Sequence, residues 1–145
     1  MDNKSNFRTM KGYHLINKSQ MTASMEDYLE MIYRMLKTQP LVRVSLLAKN
    51  LNVKPSSASK MVGNLSKLGY ISFEKYGCIR PTEKGSLLGN YLLLRHDILM
   101  DFFCLINNST DQLEQVEKIE HYIDEKTVYN LERAYKLLKE NMKTP

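Results

Sequence analysis

Val44-Ser-Leu-Leu-Ala-Lys-Asn-Leu51, Asn52-Val-Lys-Pro55-Ser-Ser-Ala-Ser-Lys60-Met-Val-Gly-Asn-Leu65-Ser-Lys-Leu-Gly69 and Tyr70-Ile-Ser-Phe-Glu74-Lys-Tyr-Gly-Cys78-Ile-Arg80 follow one another without a gap. The first segment has the length and apolar spacing of a short helix, and Asn52-Val-Lys turns the chain into a second helix with Pro55 at its first position. Met61, Leu65 and Leu68 point that helix inward and Gly69 ends it. Tyr70–Glu74 and Cys78–Arg80 then flank Lys75-Tyr76-Gly77 as strand, turn and strand. Two short helices joined by a tight turn and followed at once by a hairpin with a basic tip make a winged helix-turn-helix. In that arrangement the second helix enters the major groove and the wing touches the backbone beside it.

Upstream, Met25, Leu29, Ile32 and Leu36 predict a first helix, with Ser24 and Asp27 as its capping box and Thr38-Gln-Pro40 as its stop. Residues 1–20 mix Asn, Lys, Gly and Ser with isolated apolar residues and read as an arm of uncertain order. Downstream of Pro81 the pattern changes: Thr82 caps a helix running through Leu87, Tyr91, Leu94, Ile98, Phe102 and Leu105. It is apolar on too many sides to stand alone, so later helices, about 111–123 and 127–141, and a second subunit are expected to cover it. The fold class is therefore mainly α. A winged helix-turn-helix of three helices and a two-stranded wing over 21–82 is followed by an α-helical domain over 83–145.

Charge divides the chain the same way. From Arg34 to Arg95 there are eleven Lys or Arg against two acids, a net of +9, and from His96 to Glu140 five against ten, a net of −5. The basic half suits a polyanion and the acidic half suits cations or protein contacts, although two solvated faces would show the same bias. On the basic half, Lys54, Pro55, Ser56, Ser57, Ser59 and Lys60 lie at the start of the second helix of the pair, where hydroxyls and amides can reach bases or phosphates. Lys75, Tyr76 and Arg80 belong to the wing. The longest uncharged stretch, Gly85–Leu94, is ten residues, against the roughly 20 apolar residues a membrane helix needs. No secretory signal is seen, and Cys78 and Cys104 are too few for a disulfide framework, so the expected compartment is the cytoplasm.

On the acidic half, Glu117, Glu120 and His121 stand at i, i+3 and i+4, which on a regular helix brings two carboxylates and an imidazole to one face. Asp27 and Glu30 form a similar pair on the first helix, and His96 lies on the long helix between them in sequence. Each has a plainer reading: Asp27 as a capping acid, Glu117 and Glu120 as solvated surface, His96 as a hydrogen-bonded packing residue.

Met25-Glu-Asp-Tyr28, Pro55-Ser-Ser57, Lys60-Met-Val62, Glu74-Lys-Tyr76, Arg95-His96 and Ile119-Glu-His121 occur in the order and near the spacing of the diphtheria toxin repressor family. Over about 21–140 the chain resembles its manganese transport regulator branch most. The resemblance implies a binuclear metal site of Asp27, Glu30, His96, Glu117, Glu120 and His121, with Glu120 bridging. Where this chain has Asp27 and Glu117, the iron-responsive branch typically has Met and Cys. Carboxylates in place of sulfur favour manganese(II), two per subunit, with iron(II) the other candidate.

The function so implied is a metal-activated transcriptional repressor of metal uptake genes. It would bind a palindromic double-stranded operator as a homodimer, without catalysis and without a membrane. A metal-independent winged-helix regulator or small-molecule sensor is the competing reading. A two-metal hydrolase is the third, since paired ions also activate water, but no separate nucleophile or acid motif accompanies the ligands.

Overall fold

A computed structural model describes Thr9 and residues 21–143. Apart from Thr9, the expected N-terminal arm lies outside the described residues. Helix α1 spans Ala23–Leu36, strand β1 Val42–Arg43, α2 Val44–Leu51, α3 Pro55–Lys67, β2 Ile71–Glu74 and β3 Cys78–Pro81. The long helix α4 runs Glu83–Ile106, α5 Leu113–Ile119 and α6 Glu125–Lys143, with 3-10 turns over Lys75–Gly77 and Glu120–Tyr122.

The start of α1 differs from the expected capping box. Thr22 is the cap, its hydroxyl accepting from the Met25 amide at 3.1 Å, so Ser24 already lies inside the helix and Asp27 has no capping duty. Met25, Leu29 and Ile32 are buried as the spacing predicts, and Tyr28, Tyr33 and Met35 are buried too, because α1 is covered on a second side by α4. The turn between α2 and α3 passes through Asn52 in the left-handed region (φ 55°), a conformation that a short polar side chain tolerates. On α3 the fully buried stripe is Ala58, Val62 and Leu65, whereas Met61 and Leu68 are only half-buried. Gly69 (φ 84°) closes the helix, with the Tyr70 amide donating to the Leu65 carbonyl.

The wing is the two-stranded hairpin β2–β3, and the short β1 adds a third strand to its sheet: the order is β1-β3-β2, all antiparallel, with Val42 opposite Ile79 and Phe73 opposite the same residue on the other side. A two-residue strand is too short to show alternation in sequence. At the tip, Tyr76 (φ 69°) and Gly77 (φ 76°) both adopt left-handed backbone, which brings β3 back beside β2.

At about 1.5 Å per residue, the 24 residues of α4 make a rod of roughly 36 Å. Its N-terminal part lies against α1 so closely that only glycine fits: a Cβ on Gly89 would stand 2.3 Å from the Tyr33 ring, and one on Gly85 1.6 Å from the Tyr70 carbonyl. In that notch the Tyr33 hydroxyl donates to the Tyr70 carbonyl (2.9 Å) and accepts from the Thr82 amide (3.3 Å). Helix α1 is thereby tied to both ends of the wing hairpin. Helix α6 packs along α4 through Val128 and Tyr129, the latter against Tyr91, leaving Leu87, Leu137, Leu138 and Met142 exposed. None of the helices among the described residues is long and apolar enough to cross a membrane.

Candidate metal centre and nucleic-acid interface

Where α1 crosses the middle of α4, the 3-10 turn after α5 closes over both. Two groups of potential ligands meet there, Asp27 with Glu120 and His121, and Glu30 with His96 and Glu120, each with its ligand atoms within 4.8 Å of one another. Glu120 belongs to both groups and its side chain is 1% exposed.

The inner group is the drier. His96 Nδ1 lies 3.1 Å from Glu120 Oε2 and 4.0 Å from Glu30 Oε2, and the hydrogen bond to Glu120 raises the imidazole above its ordinary value. Burial, reinforced by the Glu120 charge, pushes the Glu30 carboxyl up from 4.5 to about 7. Glu30 Oε1 is buried with no hydrogen-bond partner among the described residues. An orphaned carboxylate oxygen costs free energy that a cation, a proton or a hydrogen-bond donor would recover.

The outer group is more open, with the Asp27 side chain 50% exposed. His121 has Nε2 2.9 Å from Asp27 Oδ1 and Nδ1 2.8 Å from Glu26 Oε1. Burial alone would lower this imidazole, but the hydrogen bonds to Asp27 and Glu26 outweigh it and carry it from 6.5 to about 9. Both nitrogens of the ring thus face a carboxylate oxygen. Arg95, on the buried side of α4, places Nη2 3.3 Å from the same Glu26 oxygen.

The donor set therefore fits a divalent metal of the harder kind. It offers carboxylate oxygens and imidazole nitrogens with no sulfur, it includes an unpartnered buried oxygen, and one carboxylate lies between two groups of nitrogen and oxygen donors. Asp27, Glu30, His96, Glu120 and His121 are brought together. Glu117 is not. Helix α5 ends at Ile119, whose backbone (φ −107°, ψ −17°) departs from regular α geometry, and Glu120 and His121 continue on a 3-10 turn. The i, i+3, i+4 convergence expected for a continuous helix is broken at that junction, and Glu117 is exposed. Conversely, Glu26 was not singled out from the sequence. The signal for it is tertiary, since nothing local says that the acid beside Asp27 meets a histidine 95 residues away.

In the reading head, Lys54, Pro55, Ser56, Ser57, Ser59 and Lys60 are all exposed along the first turns of α3. Lys54 is the N-cap residue and makes no side-chain cap bond, so the first amides of α3 are not capped by a side chain there. Tyr76 stands 93% exposed at the wing tip. Arg80 is exposed and pairs with Glu74 across the hairpin at 2.9 Å. Lys75 is in the same tip, and its side chain lies outside the described residues.

The profile of the iron dependent repressor N-terminal DNA binding domain matches residues 20–79. The HTH-type transcriptional regulator MntR of Oceanobacillus iheyensis is 42% identical over 103 residues, 70% of each chain. The MntR of Lysinibacillus sphaericus is 37% identical over 121 residues, 83% of this chain and 87% of that one. Among solved structures, the manganese regulator SloR superposes with a TM-score of 0.65 at 26% identity, over 78% of this chain and 54% of SloR, so the chain spans about half the length of that regulator. These relatives are regulators and not enzymes, and they agree with the winged reading head and the mainly helical second half. The chain belongs to the MntR branch of the diphtheria toxin repressor family of metal-dependent transcriptional regulators.

Proposed function

We propose that this chain is a cytoplasmic, manganese-activated repressor of metal uptake genes that binds a palindromic double-stranded operator as a homodimer. Residues 21–82 would form the reading head and 83–145 the dimerisation and metal-binding part. The observation that carries the reading is Glu120, a buried carboxylate held between a ligand group that includes α1 of the reading head and another that includes α4. Asp27, Glu120 and His121 would hold one ion, and Glu30, His96 and Glu120 the other; Glu117 enters the ligand set on resemblance alone. Bound there, two divalent cations supply the positive charge that cancels the repulsion among the carboxylates.

Without that charge, Glu30 and Glu120 oppose the approach of α1 to α4 and to the 3-10 turn. With it they fasten α1 in place. Through its shared core with Leu47, Val62 and Leu65, and through the Tyr33 hydroxyl at the base of the wing, α1 carries that constraint to α3 and to the hairpin. In the dimer, the separation of the two α3 helices is then one value out of many, matched to half-sites on one side of the duplex. Lys54, Lys60, Lys75 and Arg80 supply phosphate contacts, Ser56, Ser57 and Ser59 reach from the start of α3, and Pro55 and Tyr76 shape the contact. The absence of sulfur from the ligand groups favours manganese(II) over softer ions, with selection by geometry and availability, because manganese lies at the weak end of the divalent order.

The test is a random-sequence duplex selection in manganese(II), followed by affinity measurements on the selected duplex with manganese and with excess chelator. Affinity should fall on chelation. Moving a population from 1:99 to 99:1 takes about 5.5 kcal/mol, which two ions per subunit can supply. Equal affinity in chelator and in manganese would favour the metal-independent winged-helix regulator.

A further inference from the structure

We infer that Glu26, held by the buried guanidinium of Arg95, is a positioning residue for the outer ion: it fixes His121 so that Nε2 and not Nδ1 faces the ligand group. This rests on the metal-site reading above. Glu26 and Asp27 are neighbours on α1, and each takes a different nitrogen of the same ring, Glu26 Oε1 at 2.8 Å from Nδ1 and Asp27 Oδ1 at 2.9 Å from Nε2. They differ in what else is nearby. Asp27 lies within the group that includes Glu120, whereas Glu26 lies outside both groups and has Arg95 Nη2 3.3 Å from the oxygen that His121 uses.

Arg95 is buried, its guanidinium carbon 6.0 Å from the centre of the Tyr91 ring. A buried guanidinium needs an anion beside it, and the one it meets here is Glu26. That pairing does two things. It cancels the charge of Glu26, so this fifth carboxylate is not left to compete with Asp27, Glu30, Glu117 and Glu120 as a ligand. It also keeps the Glu26 oxygen turned toward Nδ1, where that one oxygen faces both the guanidinium and the ring, with Arg95 Nη2 itself 3.5 Å from Nδ1. Nδ1 is thereby engaged by Glu26, and Nε2 is left as the nitrogen beside Asp27 in the group with Glu120. A carboxylate on the far nitrogen of a ligating histidine also raises its basicity toward the metal. His96 has no such arrangement with Glu26, so the effect belongs to the outer ion alone.

Calorimetric manganese(II) titration of the full chain, beside Glu26→Ala and Glu26→Gln, tests this. Manganese electron paramagnetic resonance reports whether bound ions are isolated or coupled as a pair. Wild type should take two coupled ions. Glu26→Ala should weaken one of the two by roughly 10- to 100-fold and show isolated manganese at intermediate loading. Glu26→Gln keeps an acceptor for Nδ1 and should show a smaller loss at that same ion, and it carries the test if the alanine chain melts too low to titrate. Both ions titrating as in wild type in the two variants, or both weakening equally, would overturn the positioning role. Wild-type protein taking up no manganese would instead overturn the metal-site reading beneath it.

Discussion

The two ligand groups share a residue and differ in how their charges are paired. The outer one is satisfied internally: His121, doubly hydrogen-bonded, brings its own positive charge between Glu26 and Asp27, and Arg95 stands behind. The inner one is left wanting, with Glu30 Oε1 buried and unpartnered and the Glu30 carboxyl raised to about 7. A metal held by the outer group would require His121 to release a proton, and one held by the inner group would require the same of His96 and Glu30. In the inner group a cation would also partner the buried Glu30 oxygen, and the shared Glu120 would couple the two groups.

The largest effect should come from the shared residue. Glu120→Ala removes a ligand from both groups, and since second-sphere changes alone cost 10- to 100-fold, the loss of manganese affinity should exceed about 100-fold for both ions. Calorimetry should show no tight step, and operator binding should become insensitive to manganese. If one ion still bound tightly, the two groups would be independent and the bridging role of Glu120 would be lost.

Next comes acidity, which separates the groups through stability. Glu30 is raised from 4.5 to about 7, so the folded metal-free chain binds more protons there than the unfolded one, and stability falls as pH rises through that window. His121 is raised to about 9, so its contribution is fully present below its ordinary 6.5 and is lost as pH rises through 9. Both make the metal-free protein less stable from pH 5 to 9, while metal, which needs the same groups deprotonated, binds more tightly. The rise in melting temperature on adding manganese should therefore grow from pH 6 to 8.5. Glu30→Gln should stabilise the metal-free protein at pH 8 by on the order of 2 kcal/mol, by removing a buried carboxylate, yet weaken the inner ion. Asp27→Asn should not stabilise the metal-free chain, because it takes a charge partner from His121. Denaturant melts of both variants at pH 8 decide this, and a Glu30→Gln chain no more stable than wild type would contradict the strained inner group.

The same contrast shows what sequence can carry. The reading head is legible because its elements are local: Pro55 at a helix start, Gly69 at a helix end and Gly77 in a hairpin tip state their geometry by themselves. The two-residue β1 is not, because its partner Ile79 is 37 residues away. At the metal site, residue types and family pattern bring out Asp27, Glu30, His96, Glu120 and His121, but not the second set of contacts that fixes them. Glu26 becomes visible only when α4 brings Arg95 to it. Regular spacing misplaces Glu117, because it assumes one continuous helix where the chain changes pitch at Ile119.

The smallest effect should be that of Glu117, and it measures how far metal loading changes the junction between α5 and the 3-10 turn. Glu117 is exposed and lies outside both groups. Glu117→Cys should therefore leave metal-free melting within about 0.5 kcal/mol of wild type, as surface substitutions usually do. If Glu117 contributes its charge from the solvent side, manganese affinity should fall by less than about tenfold, because a carboxylate is replaced by a thiol largely protonated at neutral pH. The variant should also shift preference toward softer ions such as cobalt or zinc. Calorimetric titration of wild type and Glu117→Cys with manganese and with cobalt reads all of this. Equal manganese affinity would make Glu117 solvated helix surface and leave five ligands. A loss as large as that of Glu120→Ala would mean that the loaded protein draws α5 into the site, and that the pitch change at Ile119 belongs to the metal-free state alone.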